Sequence, residues 1–155
     1  MDGERGRRMY VGNNAGELLL INSMNGSLID LEHYHTKDVT SIQQVMETRS
    51  SIFTSGMDGH LRLFEECNGK LLIHNSADNI FGEGTGITVM RVCPAEHVLV
   101  AASAKKSWGI WSDITLKKIL IVNEEEAVRK PGPYTLPSVY SPCDCSLSLF
   151  PALPR

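Results

Sequence analysis

Three residues of this chain have the side-chain types that nucleophilic enzymes use. His35 could act as a base, Thr54 as a nucleophile and Asp58 as the acid that orients the imidazole ring. However, Thr54 lies in a strand-like run, where its hydroxyl would face the packing of a sheet. The chain also lacks the Gly-x-Ser-x-Gly turn that exposes the nucleophile in many hydrolases. We therefore predict a protein that is not an enzyme.

The sequence gives little indication of a metal or cofactor site. The chain has four cysteines, Cys67, Cys93, Cys143 and Cys145. Cys93 with His97 forms a C-x3-H pair and the last two cysteines could add thiolates, but the C-x2-C spacing of common zinc sites is absent. We expect reduced thiols, the first two at least half-buried, with no bound metal. The glycine-rich segment 82–86 lacks the Gly-Lys-Ser/Thr sequence that contacts phosphate, so no cofactor is expected.

Composition disfavours two classes of partner. The formal charge is −3 and both signs are interspersed, so the sequence predicts no extended basic face for nucleic acid. No apolar run approaches the roughly 20 residues of a membrane span, and the charged first residues are unlike an export signal. We expect an intracellular, cytoplasmic protein that binds neither nucleic acid nor membranes.

The elements that must position these residues repeat along the chain. Gly16 and Gly59 lie 43 residues apart, as do the Asn-Gly turns that begin at Asn25 and Asn68. Short apolar runs between turn signals predict antiparallel strands in each repeat. The predicted units span residues 7–31, 35–75 and 87–122.

The three units differ in completeness. The second predicts four strands, whereas the first predicts three and lacks the initial strand. The third is more divergent, because the turn at 103–107 lacks Asp-Gly. Outside the repeats, we predict a flexible N-terminus at 1–6 and a Pro/Ser/Cys-rich disordered tail at 123–155, which holds six of the seven prolines.

The second unit resembles one repeat of the WD-repeat β-propeller family. The resemblance rests on His35-Thr36 placed four residues before Val39, and on Thr54 placed four residues before Asp58-Gly59. It implies an all-β fold, a partial WD-repeat propeller of about two and a half four-stranded antiparallel blades. It also implies a protein-protein interaction scaffold.

The same resemblance implies a buried structural hydrogen-bond network of His35, Thr54 and Asp58. A buried carboxylate needs donors, which the imidazole and the hydroxyl can supply. Phe64 stands where the family has tryptophan and has no indole N–H, so we expect a network one donor short, at a cost of about 1 kcal/mol. The equivalent turns of the other units lack the aspartate and are expected to be held less firmly.

Partner contacts in this family lie mainly on loops at one end of the propeller. Carried over to this chain, the resemblance places them in loops at Lys37, Met57, Phe81, Lys105, Lys106 and Trp108. The partners are expected to be other proteins.

Too few blades are predicted to close a ring, which typically takes about 4 to 8. We expect the open ends to expose apolar rows, exemplified by Leu18, Leu20, Val98 and Val100, and to invite self-association through open blade edges. The change of character after Val122 favours a truncated form of a longer WD-repeat protein. The alternative to a scaffold is a truncated isoform with little independent function, or one that competes with its full-length relative.

Overall fold

The computed structural model describes residues 8–46 and 50–123, which form three antiparallel β-sheets. We call these sheets blade 1, blade 2 and blade 3 in chain order. Blade 1 consists of β1 (Arg8–Gly12), β2 (Glu17–Asn22) and β3 (Leu28–His33). Blade 2 consists of β4 (Val39–Met46), β5 (Ser50–Gly56), β6 (Leu61–Cys67) and β7 (Lys70–Ala77). Blade 3 consists of β8 (Ile87–Cys93), β9 (Val98–Ser103), β10 (Ser107–Ser112) and β11 (Lys118–Asn123).

Each strand pairs with the next one along the chain, so every blade is a meander. The prediction of an all-β chain is confirmed, including a first sheet of three strands and two further sheets of four. The segments 1–6 and 124–155, which include Cys143 and Cys145, lie outside the described residues.

The repeat is visible in the strand register. Tyr10 pairs with Leu20 in blade 1, and the equivalent Phe53 pairs with Leu63 in blade 2. Gly16 and Gly59 have φ of +84° and +82° in the equivalent turns. That backbone conformation favours glycine, which explains why these two glycines recur at the 43-residue step.

Apolar side chains fill the spaces between neighbouring blades. Between blades 1 and 2, Leu18 packs with Ile52, Phe64 and Leu71, all of them buried. The larger core lies between blades 2 and 3 and comprises Phe53, Leu61, Leu63, Ile87, Met90, Val92, Leu99, Ala101, Trp111 and Leu116. Two interblade layers therefore hold the three sheets in sequence order.

Polar contacts join the first strands of blades 2 and 3. The Gln43 side chain accepts a hydrogen bond from the Val92 N–H at 2.8 Å and donates one to the Val92 carbonyl at 3.3 Å. The Ser41 hydroxyl accepts a further bond from the Met90 N–H at 3.3 Å. Side chains of β4 thus satisfy the backbone of β8 where no further strand pairs with it.

Two sequence expectations are wrong. Leu18 and Leu20 are fully buried rather than exposed, because they face blade 2. Val100 is exposed, as expected, whereas Val98 is half-buried. Cys67 and Cys93 are exposed free thiols rather than buried ones, since they lie at strand ends.

Candidate functional site

The tight turn between β5 and β6 positions Asp58. The Gly59 N–H donates to the Gly56 carbonyl at 3.1 Å and closes the turn. A Cβ atom on Gly59 would lie 2.8 Å from the Thr85 carbonyl oxygen of the next interblade loop. Glycine is therefore required here both by φ and by the close approach of a second loop.

Asp58 accepts hydrogen bonds from three directions. His35 Nδ1 lies 3.0 and 3.1 Å from the two carboxylate oxygens, and the Thr36 N–H donates to Oδ2 at 2.9 Å. The His60 N–H donates to Oδ1 at 3.1 Å. On the other side of the imidazole, Nε2 lies 2.8 Å from Thr54 Oγ1. The structure thus brings His35, Thr54 and Asp58 together in one chain of contacts.

Burial and hydrogen bonding determine the protonation of this network. Burial lowers the pKa of His35 below its ordinary 6.5, although the neighbouring carboxylate opposes this shift. Burial acts to raise the pKa of Asp58, but hydrogen bonds from His35, Thr36 and His60 outweigh it and leave this pKa below 3.8. At neutral pH the imidazole is therefore uncharged: Nδ1–H donates to Asp58, and Nε2 accepts from the Thr54 hydroxyl.

The network is sealed from solvent. His35 and Thr54 are each 1% exposed, so neither the imidazole nor the hydroxyl can meet a substrate. Its connections instead tie the loop before β4, strand β5 and the β5–β6 turn to one another. This geometry suits structural support rather than nucleophilic chemistry.

Phe64 takes part in aromatic packing. Its ring is fully buried and lies 4.5 Å from the Tyr34 ring, between centroids. The Tyr34 hydroxyl donates to the Leu71 carbonyl at 2.7 Å, and burial raises the pKa of Tyr34 to about 12. The position therefore serves aromatic packing between blades 1 and 2.

Blade 1 holds its turn by a residue that sequence reasoning missed. Asn13 Oδ1 accepts from the N–H groups of Ala15 and Glu17, both at 3.0 Å. Asn13 Nδ2 donates to the Glu17 carboxylate at 2.6 Å. An asparagine that begins a turn is the signal that could have revealed this, because its side chain can cap the N–H two residues later.

The six predicted contact residues fall into two groups. Lys37, Met57, Lys105 and Lys106 are exposed on loops. The Met57 N–H donates to the Asp38 carbonyl at 2.8 Å, and Lys105 Nζ donates to Thr85 Oγ1 at 3.1 Å. A Cβ on Gly86 would lie 2.8 Å from the Met57 carbonyl oxygen, so these contacts together join four connecting loops at this end of the molecule.

Phe81 and Trp108 do not fit the predicted loop surface. Phe81 is half-buried and packs edge to face on Trp111, with ring centroids 5.4 Å apart. Trp108 is 37% exposed but lies within strand β10 rather than in a loop. Phe81 therefore helps to cover the interblade core, and Trp108 belongs to a sheet face.

Residues 8–46 and 50–123 contain neither a metal-binding cluster nor a membrane-spanning helix. There, no three or more His, Cys, Asp or Glu side chains cluster so as to hold a metal ion. In the same ranges, no helix has the length and apolar character needed to cross a membrane.

Comparison with known proteins identifies the fold. No family model and no curated protein matches the chain by sequence. Among solved structures, the β-propeller domain of Cps50 (Swd1) from Myceliophteria thermophila matches with a TM-score of 0.65 at 13% identity, over 76% of this chain and 40% of that one. Three unclosed antiparallel sheets thus form part of a β-propeller, and the predicted fold class is confirmed.

Two computationally designed proteins are also similar. Ika8 matches with a TM-score of 0.61 at 17% identity, over 76% of this chain and 34% of its own. Ika4 matches with a TM-score of 0.59 at 18% identity, over 74% of this chain and 65% of its own. The chain thus spans less than two thirds of the length of each of these three structures.

Proposed function

We propose that this chain is a non-catalytic protein-interaction scaffold of the WD-repeat type. The proposed contact surface is the end of the molecule where the loops at 34–38, 57–60, 78–86 and 103–107 adjoin. Its partners are other proteins rather than nucleic acid or membranes, since the net charge is −3 and both signs are mixed. The WD-repeat assignment is supported by the His35, Thr54 and Asp58 geometry in blade 2.

The observation that carries this proposal is the buried carboxylate beneath the loops. Asp58 accepts a hydrogen bond from the Thr36 N–H at 2.9 Å. Met57, the preceding residue of the β5–β6 turn, is exposed at the surface. Exposed Lys37 and Met57 are therefore displayed on backbone that is already ordered. A pre-ordered surface loses little conformational entropy on binding, which is the physical advantage of a scaffold.

The non-catalytic part of the proposal has its own support. The groups that could form a nucleophile and base are buried and fully engaged with one another. A role in holding the loops explains these contacts without a substrate.

A surface-specific binding experiment tests the scaffold. Proteins captured by the full chain are purified and titrated against it by calorimetry, alongside the Lys37→Glu/Met57→Glu double variant. The control is Ile114→Glu, which changes an exposed apolar side chain in the β10–β11 connection. We expect direct binding that the double variant weakens by roughly tenfold or more and the control retains. If every captured protein binds the double variant as tightly as the original chain, the proposed surface is wrong.

A second candidate function is interference with a longer propeller of the same type. It is favoured by the exposure of Val100 and Trp108 on the last sheet, where a following blade would pack. In that function the chain would compete with the longer propeller for the blade that packs on blade 3, and its loop surface would not be needed.

A further inference from the structure

The internal blade contacts define which side-chain positions make an interface. On blade 2, Phe53, Leu61 and Leu63 face blade 3 and are at most 4% exposed. Phe53 and Leu63 are cross-strand partners in adjacent strands. These three positions form the forward face of a blade, the face that packs on the blade after it.

Blade 3 repeats this apolar pattern, and no element within residues 8–46 and 50–123 packs on it. Trp108 and Ile110 lie 47 residues after Leu61 and Leu63, the same step that relates Trp111 to Phe64. Val100 pairs with Ile110, as Phe53 pairs with Leu63. Val100 is 39% exposed and Trp108 is 37% exposed. The forward face of blade 3 thus has an apolar centre like that of an interface, with the exposed Arg91 paired beside Val100.

Blade 1 carries the matching backward face. Met9, Ile21 and Leu28 precede Ile52, Phe64 and Leu71 by 43 residues, and those three are buried against blade 1. Met9 is 48% exposed and Leu28 is 55% exposed. Strand alternation and cross-strand pairing give this backward face an apolar centre of Met9, Val11, Leu19, Ile21, Leu28 and Leu31, with Glu17 and His33 paired at one end of it.

The forward face of one blade packs on the backward face of the next at both internal junctions. In the described residues, the forward face of blade 3 and the backward face of blade 1 have no such partner, so the two could pack on each other in the same way. We propose that the forward face of blade 3 binds the backward face of blade 1 of a second copy of this chain. The junction is head-to-tail, and it continues the interblade packing from one copy into the next.

Head-to-tail contacts either close into a ring or grow into a filament. Two copies supply six sheets, within the range of about 4 to 8 blades found in closed propellers. We therefore expect a closed pair in which both junctions are made. Its mass would be about twice the 17.1 kDa of one chain.

A complementation experiment on the full chain tests the junction. Trp108→Glu disables the forward face and Ile21→Glu the backward face, while Leu72→Glu on blade 2 is the control for an exposed apolar residue elsewhere. Light scattering coupled to gel filtration measures mass over a range of concentrations. Circular dichroism establishes that each variant retains its β structure.

The expected pattern is specific to a head-to-tail contact. The original chain and Leu72→Glu form pairs, and each face variant alone is monomeric. An equimolar mixture of the two face variants forms a one-to-one pair, because each supplies the face that the other retains. Should either glutamate variant lose its β structure, the milder Trp108→Gln and Ile21→Thr are used, with roughly tenfold weaker self-association expected for each alone.

Three results would overturn the proposal. The first is an original chain that stays monomeric at every concentration, which would leave the faces to a sheet of another protein. The second is a pair that survives in both folded face variants, which would indicate a different interface. The third is a mixture of folded, monomeric face variants that remains monomeric.

Discussion

The Asp58 carboxylate links the loop before β4 to the turn between β5 and β6. It accepts hydrogen bonds from the imidazole of His35 and from two backbone N–H groups in different loops. The carboxylate thereby supplies the hydrogen-bond acceptor for backbone N–H groups in the loops that have no backbone carbonyl as a partner among the described residues. The ordering of this end of blade 2 is expected to depend on that carboxylate.

Removing the carboxylate tests this dependence. Asp58→Ala leaves the two N–H groups and the imidazole without their acceptor, and we expect the free energy of unfolding to fall by about 1 to 3 kcal/mol. Urea titration followed by circular dichroism measures the change. Asp38→Ala, an exposed aspartate in the adjoining loop, is the matched control and should have a much smaller effect. Equal stability of Asp58→Ala and the original chain would show that the network contributes nothing.

The protonation of the network predicts a dependence of stability on pH. Both folded-state pKa values lie below their ordinary values, so the unfolded chain binds more protons as the pH falls, and acidification destabilises the fold. The contribution of His35 is complete above pH 6.5 and declines as the pH falls through its lowered folded-state pKa. The contribution of Asp58 is complete above pH 3.8 and declines below that value.

Substitution of the imidazole isolates its part of this dependence. Urea titrations at a series of pH values should show a shallower loss of stability below pH 6.5 in His35→Gln than in the original chain. The same slope in both proteins would contradict the assigned direction of the His35 pKa shift.

At the residue scale, the sequence predicted what a fixed motif specifies and little else. His35, Thr54 and Asp58 were predictable because their offsets match a repeat signature, and the structure places Thr54 and Asp58 each within 3.1 Å of the His35 imidazole. The packing role of Phe64 could not be predicted, because its partner Tyr34 lies 30 residues away and the contact depends on tertiary structure. Asn13 was overlooked because it replaces the missing aspartate from a different position in the turn.

At the scale of elements, the strand β8 depends on side chains of its neighbour. The side-chain amide of Gln43 hydrogen-bonds to both the N–H and the carbonyl of Val92, as the backbone of a neighbouring strand would. No sequence pattern marks this role, because β4 and β8 become neighbours only when blades 2 and 3 pack. Gln44, the next residue, is exposed and bonds within its own strand pair.

These two glutamines form a matched pair of variants. Gln43→Ala leaves a backbone donor and acceptor of Val92 unpaired at the blade 2–blade 3 junction, and we expect a loss of about 1 to 3 kcal/mol. Gln44→Ala removes a bond at the surface and should cost well under 1 kcal/mol. Thermal melts followed by circular dichroism compare them. Similar losses in the two variants would argue against the proposed junction between β4 and β8.

At the scale of the whole molecule, residues 8–46 and 50–123 form an arc of blades, and within these residues the outer face at each end has no packing partner. The number of sheets, and the three strands that blade 1 has in the described residues, were predictable from the 43-residue step and the turn signals. Burial in the end blades was harder to predict. Leu18 and Leu20 were expected to be exposed at an open end of the arc, but they are buried and face blade 2. Periodicity shows which residues share a face, whereas the direction of that face is fixed only by the stacking order of the blades.

The same stacking order predicts where the backbone is best protected. Blade 2 has a neighbour on both sides, and its strands β5 and β6 hold the largest continuous set of buried residues. Within one copy, blades 1 and 3 each have one face that none of the described residues covers, and in the proposed pair these faces meet between copies and are uncovered again when the pair dissociates. Opening of the structure should therefore begin at the ends of the arc and reach the middle blade last.

Hydrogen exchange of the full chain, measured residue by residue, tests the packed three-blade arc most directly. We predict the slowest amide exchange in β5 and β6, with intermediate protection in β2 and in β8 to β10. We also predict faster exchange in blade 2 when Asp58 is changed to alanine. Rapid exchange throughout β5 and β6, or protection that ignores the strand boundaries, would contradict this account of the fold.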